Sequence, residues 1–198
     1  MSDPIDVRSD EMIASRRSDT IDLPSDMPEW MQKTIRRIDG FSIRVGEIIA
    51  WLTLPLMLAM AYEIFVRYAF TAPTDWAYDI SRMLYGAMFM IGAGYALQKG
   101  VHIRSDFLYR NWSVRTQAMV DITMYVFLFL PAMLIAIWVS TEWAWKAIEN
   151  GDRVGDSTWM PYVGPIKAAL PVGILFLMIQ GISELLKAIY AYRQGRWA

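Results

Sequence analysis

Glu63-Ile-Phe-Val-Arg67-Tyr-Ala-Phe70, Pro73-Thr-Asp-Trp76-Ala-Tyr-Asp79 and Gly100-Val-His102-Ile-Arg104-Ser-Asp106 are charged punctuations, the first two rich in aromatic residues, around one apolar run. That run, Met83 to Leu97, is uncharged and carries glycine at 86, 92 and 94. Charge held at both ends of an apolar helical stretch marks a segment whose middle leaves water. The rest of the chain repeats the pattern as further spans and anchors.

Composition agrees. Of 198 residues, 55% are hydrophobic and mean hydropathy is +0.25, above the roughly 45–50% apolar content of soluble domains. Charge is segregated, with a polar N-terminal stretch and later charges clustered between apolar runs. Nine Trp and ten Tyr suit the headgroup level, where amphipathic rings are favoured. A formal net charge of −1 gives no field for nucleic acid. With no cysteine and a single histidine, His102, disulfides, thiolate chemistry and bis-histidine haem within one chain are excluded.

Taken in order, residues 1–25 show no sustained periodicity and read as a disordered cytoplasmic tail. No apolar run follows Arg16 and Arg17, so the tail is not read as a secretory signal. Residues 26–40 predict an amphipathic helix capped by Asp26, with Glu29 at the capping-box position and Pro28 in the first turn. Met31, Ile35 and Ile38 share one face, and Lys33, Arg36 and Arg37 the other. Such a helix is expected to lie in the cytoplasmic interface with its basic residues toward lipid, ending at Gly40.

Residues 41–190 predict an all-α membrane domain of four transmembrane helices, about 42–66, 79–98, 117–145 and 166–190, followed by a cytoplasmic tail, 191–198. Glu63 precedes Arg67 by four residues and Arg44 precedes Glu47 by three, so both pairs can meet on a helix face. Gly92 and Ala96 form a small-xxx-small pair suited to close helix packing. Pro131 interrupts the third span and implies a kink or a local gap in backbone bonding. Gln180, polar within the fourth span, is expected to bond across to another helix. The flanks at 33–44, 99–115 and 187–196 hold eleven Lys and Arg, against five in 67–82 and 146–167. The positive-inside rule then puts both termini in the cytoplasm.

No catalytic constellation emerges. His102 sits in a turn with Asp106 four residues on, a spacing that suits loop architecture. Glu47, Glu63 and Glu184 each have a basic residue at helical spacing, and no span carries a midplane charge. Nor is there a repeat or a matching pair of broken helices, as expected of a self-sufficient secondary transporter.

The ordered combination Arg67-Tyr-Ala-Phe70, Trp76-Ala-Tyr-Asp79, Gly92-Ala93 and Gly100-Val-His102-Ile-Arg104-Ser-Asp106 resembles the small membrane subunit of tripartite ATP-independent periplasmic (TRAP) transporters, the DctQ-like family. The likeness covers roughly residues 35–190, with Asp79 standing where the family more often has Glu. It implies a large membrane subunit that carries substrate and sodium sites, and a periplasmic binding protein that delivers a small organic acid. This chain would then be a scaffold in the inner membrane, contacting lipids and holding no cofactor of its own. Glu63, Arg67, Trp76, Asp79, Gly92, His102 and Asp106 would be structural or interface positions. The competing reading is a small proton-coupled transporter acting as a homo-oligomer through Glu63.

Overall fold

The computed structural model describes residues 23–100, 112–155 and 158–197. Its elements are helices: α1 (Glu29–Ala50), α2 (Thr53–Phe70), α3 (Ala77–Gln98), α4 (Val114–Met124), a one-turn π segment (Tyr125–Phe129), α5 (Leu130–Glu149) and α6 (Gly164–Gln194). A single antiparallel bridge joins Arg153 and Tyr162. Three stretches are long and apolar enough to cross a membrane: Glu29–Phe70, Val114–Glu149 and Gly164–Gln194. Helix α3 is shorter, at 22 residues, and less apolar, with Asp79 and Arg82 near its start and Gln98 at its end.

By proximity the chain divides into two compact units. The first comprises Met1–Ile43, Gly94–Pro131 and Leu177–Ala198; the second comprises Arg44–Ala93 and Ala132–Phe176. In the first, the apolar face of α1 is covered by the chain itself. Met27, Met31 and Ile35 are at most 3% exposed and pack with Tyr190, bordered by Leu23, Leu186 and Ile189. Each such side chain taken from water contributes about 1.5–3 kcal/mol. The amphipathic helix expected over 26–40 thus forms the start of α1, with its apolar face turned onto α6.

The expected break at Gly40 is absent, because α1 runs through it to Ala50. A helical glycine costs only about 1 kcal/mol, less than the neighbouring burial supplies. The real break falls at Trp51 and Leu52, where bonds shorten to Trp51 N–H onto Ile48 and Leu52 N–H onto Ile49. Pro55 explains it. Its ring lacks an N–H for the Trp51 carbonyl and crowds that group four residues back. Asp26 does not cap α1 either; it accepts from the Tyr190 hydroxyl at 2.8 Å and pairs with Arg196 at 2.7 Å.

The irregularity anticipated at Pro131 is present as the π turn before it, where the Leu130 N–H reaches the Tyr125 carbonyl. Widening the turn accommodates the proline without ending the helix. It also brings Phe129 onto Gly181, where an added Cβ would lie 2.2 Å from the ring.

In the second unit α3 and α6 meet backbone to backbone. A Cβ on Gly173 would lie 2.3 Å from the Met90 carbonyl oxygen. Gly92, the expected close-packing position, has nothing within 4 Å of its would-be Cβ. The intrachain contact uses a glycine of the partner helix instead.

Candidate functional site

The turn from α2 to α3 is built around Glu63. Helix α2 ends at Phe70, and Thr71 takes a left-handed conformation (φ 55°) with its N–H on the Val66 carbonyl. This reversal returns Thr74 to the last turns of α2. The Thr74 N–H donates to Glu63 Oε2 at 2.9 Å, and its hydroxyl donates to the same oxygen. On the other side, Arg67 Nε donates to Oε1 at 2.8 Å, joined by Nη2. Both carboxylate oxygens are thus occupied, and Glu63 is only 6% exposed.

Trp76 stacks on Tyr62 at 5.8 Å between ring centroids. The turn is therefore pinned by an aromatic pair one residue from the carboxylate. Asp79, in the first turn of α3, is 2% exposed and accepts from Arg82 Nη2 at 3.2 Å. A carboxylate there also favours the positive end of the helix dipole. The structure thus joins Glu63 with Arg67 and gives Asp79 a partner in Arg82. His102 and Asp106 lie outside the described residues. Thr74 was missed; its only signal is a hydroxyl immediately after Pro73, in a turn that must reverse.

A second polar cluster, in the first unit, holds α1 to α6. Asp39 Oδ1 accepts from Gln180 Nε2 at 3.0 Å and from Ser183 Oγ at 2.6 Å. Asp39 Oδ2 pairs with Lys187 at 2.8 Å. Lys187 also meets Glu184 at 2.8 Å, as the spacing of that pair predicts. Ser42 Oγ donates to Gln180 Oε1 at 2.7 Å, so the expected cross-helix bond from Gln180 is realised. Asp39, Ser42, Gln180 and Ser183 are all at most 3% exposed. Asp39 was not singled out in the sequence, because its partners lie more than 140 positions away.

Before the start of α1, the Tyr190 hydroxyl, and then Arg196, hold the Asp26 carboxyl below its ordinary value. Lys167 pairs with Asp152 at 2.9 Å and lies 4.6 Å above the Trp143 ring. Among the described residues no group of three or more His, Asp or Glu is placed to hold a metal ion.

Apolar helices of spanning length, with ionised groups tied to one another near their ends, define a multi-pass membrane protein. The family model for tripartite ATP-independent periplasmic transporters, DctQ component, matches residues 56–190. The chain belongs to that family, the small component of a TRAP transporter and not a family of enzymes. No curated protein and no solved structure matches the chain.

Proposed function

We propose that this chain is the fixed scaffold subunit of a sodium-coupled importer in the inner membrane. It braces a large transport subunit that takes a small organic acid from a periplasmic binding protein. The observation that carries this reading is the saturation of Glu63. An ionised carboxylate bonded on one oxygen by Arg67 and on the other by Thr74 is a staple within its own chain. A proton carrier must instead exchange its proton with water or a neighbouring carrier. Asp39 and Glu184 share Lys187 in the same manner, and Asp79 meets Arg82.

Four spans with both termini cytoplasmic follow from the same reading. The Asp26–Arg196 pair supports it, since ends in contact belong on one side and require an even number of crossings. Helix α3 supplies the fourth. Its lower apolarity fits a helix packed partly against protein, and the open space at Gly92 leaves room for a partner helix to approach closely. Arg67, Trp76 and Asp79 shape the turn that presents this face, while His102 and Asp106 serve at the opposite turn. Lys33, Arg36 and Arg37 face the lipid headgroups.

Glu63→Gln in the reconstituted transporter separates scaffold from carrier. A scaffold loses recovery of the large subunit, or little at all, and the transport that remains keeps its ion dependence. Intact assembly with abolished ion coupling would reject the proposal.

A further inference from the structure

At the junction of α1 and α2, polar groups stand exposed at a depth where acyl chains offer them nothing. Glu47 precedes Glu63 by sixteen residues, about 24 Å along a helix axis. With the Glu63–Arg67 turn at one edge of an apolar layer about 30 Å thick, Glu47 falls inside the opposite edge and Trp51 deeper still. Pro55 denies the Trp51 carbonyl its regular donor, and the Leu54 N–H turns to it at 3.2 Å. The Trp51 N–H in turn goes to Ile48 at 3.2 Å. The carbonyls of Glu47 and Ala50 thereby lose the donors that a regular helix gives them. One turn apart on the same side, Glu47 is exposed and Trp51 is 70% accessible. Among the described residues neither side chain has a hydrogen bond or an ion pair. We infer that Glu47, Trp51 and Leu54 form a seat for a transmembrane helix of the large subunit, which presents a lysine or arginine to the Glu47 carboxylate and an acceptor to the Trp51 indole N–H.

Three observations favour that occupant. Irregular backbone within the hydrocarbon region persists where protein covers it, because lipid cannot replace the lost donors. Trp51 lies too deep for the headgroup level, where an outward-facing tryptophan would have water for its N–H. A carboxylate at this depth is matched by a cation of a neighbouring helix, and a lipid tail carries none. A second copy is the weaker fit. Two copies related by a twofold axis along the membrane normal would set Glu47 level with Glu47, like charge against like. Beyond Trp51 the stripe continues through Leu54, 45% accessible, and Leu58, 63% accessible. An aromatic anchor beside aliphatic side chains is the composition of a protein contact centre. The inference rests on the scaffold reading and specifies where the large subunit sits on this chain.

The test is photocrosslinking from p-benzoylphenylalanine placed at Trp51 of the full chain, co-expressed with the large subunit, with the attachment point read by mass spectrometry. One defined helix of the large subunit should be labelled. Glu47→Lys should weaken association of the two subunits by at least about thirtyfold. Thermal unfolding of the isolated chain should stay unchanged, because Glu47 bonds nothing within it. Crosslinks to lipid alone, or to a second copy, with the large subunit still associated, overturn the inference and leave the scaffold reading standing. Failure of the wild-type chain to associate with any large subunit overturns both. Intact association in Glu47→Gln with lost ion dependence of uptake would make Glu47 a carrier and also overturn the inference.

Discussion

Removing Asp39 should be among the most damaging single changes in the chain. Its carboxylate is 2% exposed and accepts from Gln180, Ser183 and Lys187. In Asp39→Ala, Lys187 keeps Glu184 but loses its other carboxylate, while Gln180 and Ser183 lose a shared acceptor. Breaking one side of a buried ion pair costs about 3–5 kcal/mol, and leaving a buried donor unmet costs about 1–3 kcal/mol. Because the groups form one network these costs overlap, so a total of about 4–5 kcal/mol is expected. Asp39→Asn keeps an acceptor oxygen for Gln180 or Ser183 and should cost about half as much. Asp39→Leu combined with Lys187→Met and Glu184→Gln removes all three charges of the cluster and should recover at least about 2 kcal/mol of the single-variant loss, since well-packed uncharged side chains often replace a buried ion cluster without penalty. Thermal unfolding in detergent, read on all variants under one condition, gives the comparison. An Asp39→Ala variant within about 0.5 kcal/mol of wild type, the range of ordinary surface substitutions, would refute the reasoning. A triple variant no better than the single would refute the claim that the unpaired charge dominates.

Thr74→Val removes the hydroxyl on Glu63 Oε2 but leaves the backbone N–H; thermal unfolding should show a loss of about 1–2 kcal/mol. Gly173→Ala drives a Cβ into the Met90 carbonyl and should cost about 1–3 kcal/mol. Gly92→Ala meets open space within the chain, so it should leave the isolated protein unaffected while lowering recovery of the large subunit. The tie between Asp26 and Tyr190 and Arg196 lowers the Asp26 pKa, so its contribution is complete above the unfolded value near 3.8 and fades as pH falls through the lower folded value. Hydrogen exchange near Tyr190 should quicken in that acid window for the wild type, and Asp26→Asn should remove the step.

The features legible in the sequence are those written in local spacing. Glu63 with Arg67 and Glu184 with Lys187 pair because residues three and four apart share a helix face. Arg44 and Glu47 satisfy the same rule without forming an ion pair, because spacing permits a contact without requiring it. Pro131 announced its irregular turn because a missing N–H acts wherever it stands. Pro55 acts in the same way, and the Trp51–Leu52 break was there to be read from it. Gly40 misled in the opposite direction, since a weak propensity yields to the burial of Met31 and Ile35 on α6. Asp39 and Gly173 were hidden for a different reason. Their partners, Lys187 and Met90, are distant in sequence, and only the folded chain brings them together. The second span shows how far composition reaches: small residues marked α3 as a packing helix, but not which of its positions are filled from within.

The most direct test of the scaffold account is purification of the tagged chain from its native membranes in mild detergent, with mass spectrometry of what co-elutes. The account predicts stoichiometric recovery of one larger, many-span membrane protein, with sodium-driven uptake only when both are reconstituted. Recovery of this chain alone, with ion-driven uptake after its reconstitution without a partner, would contradict it.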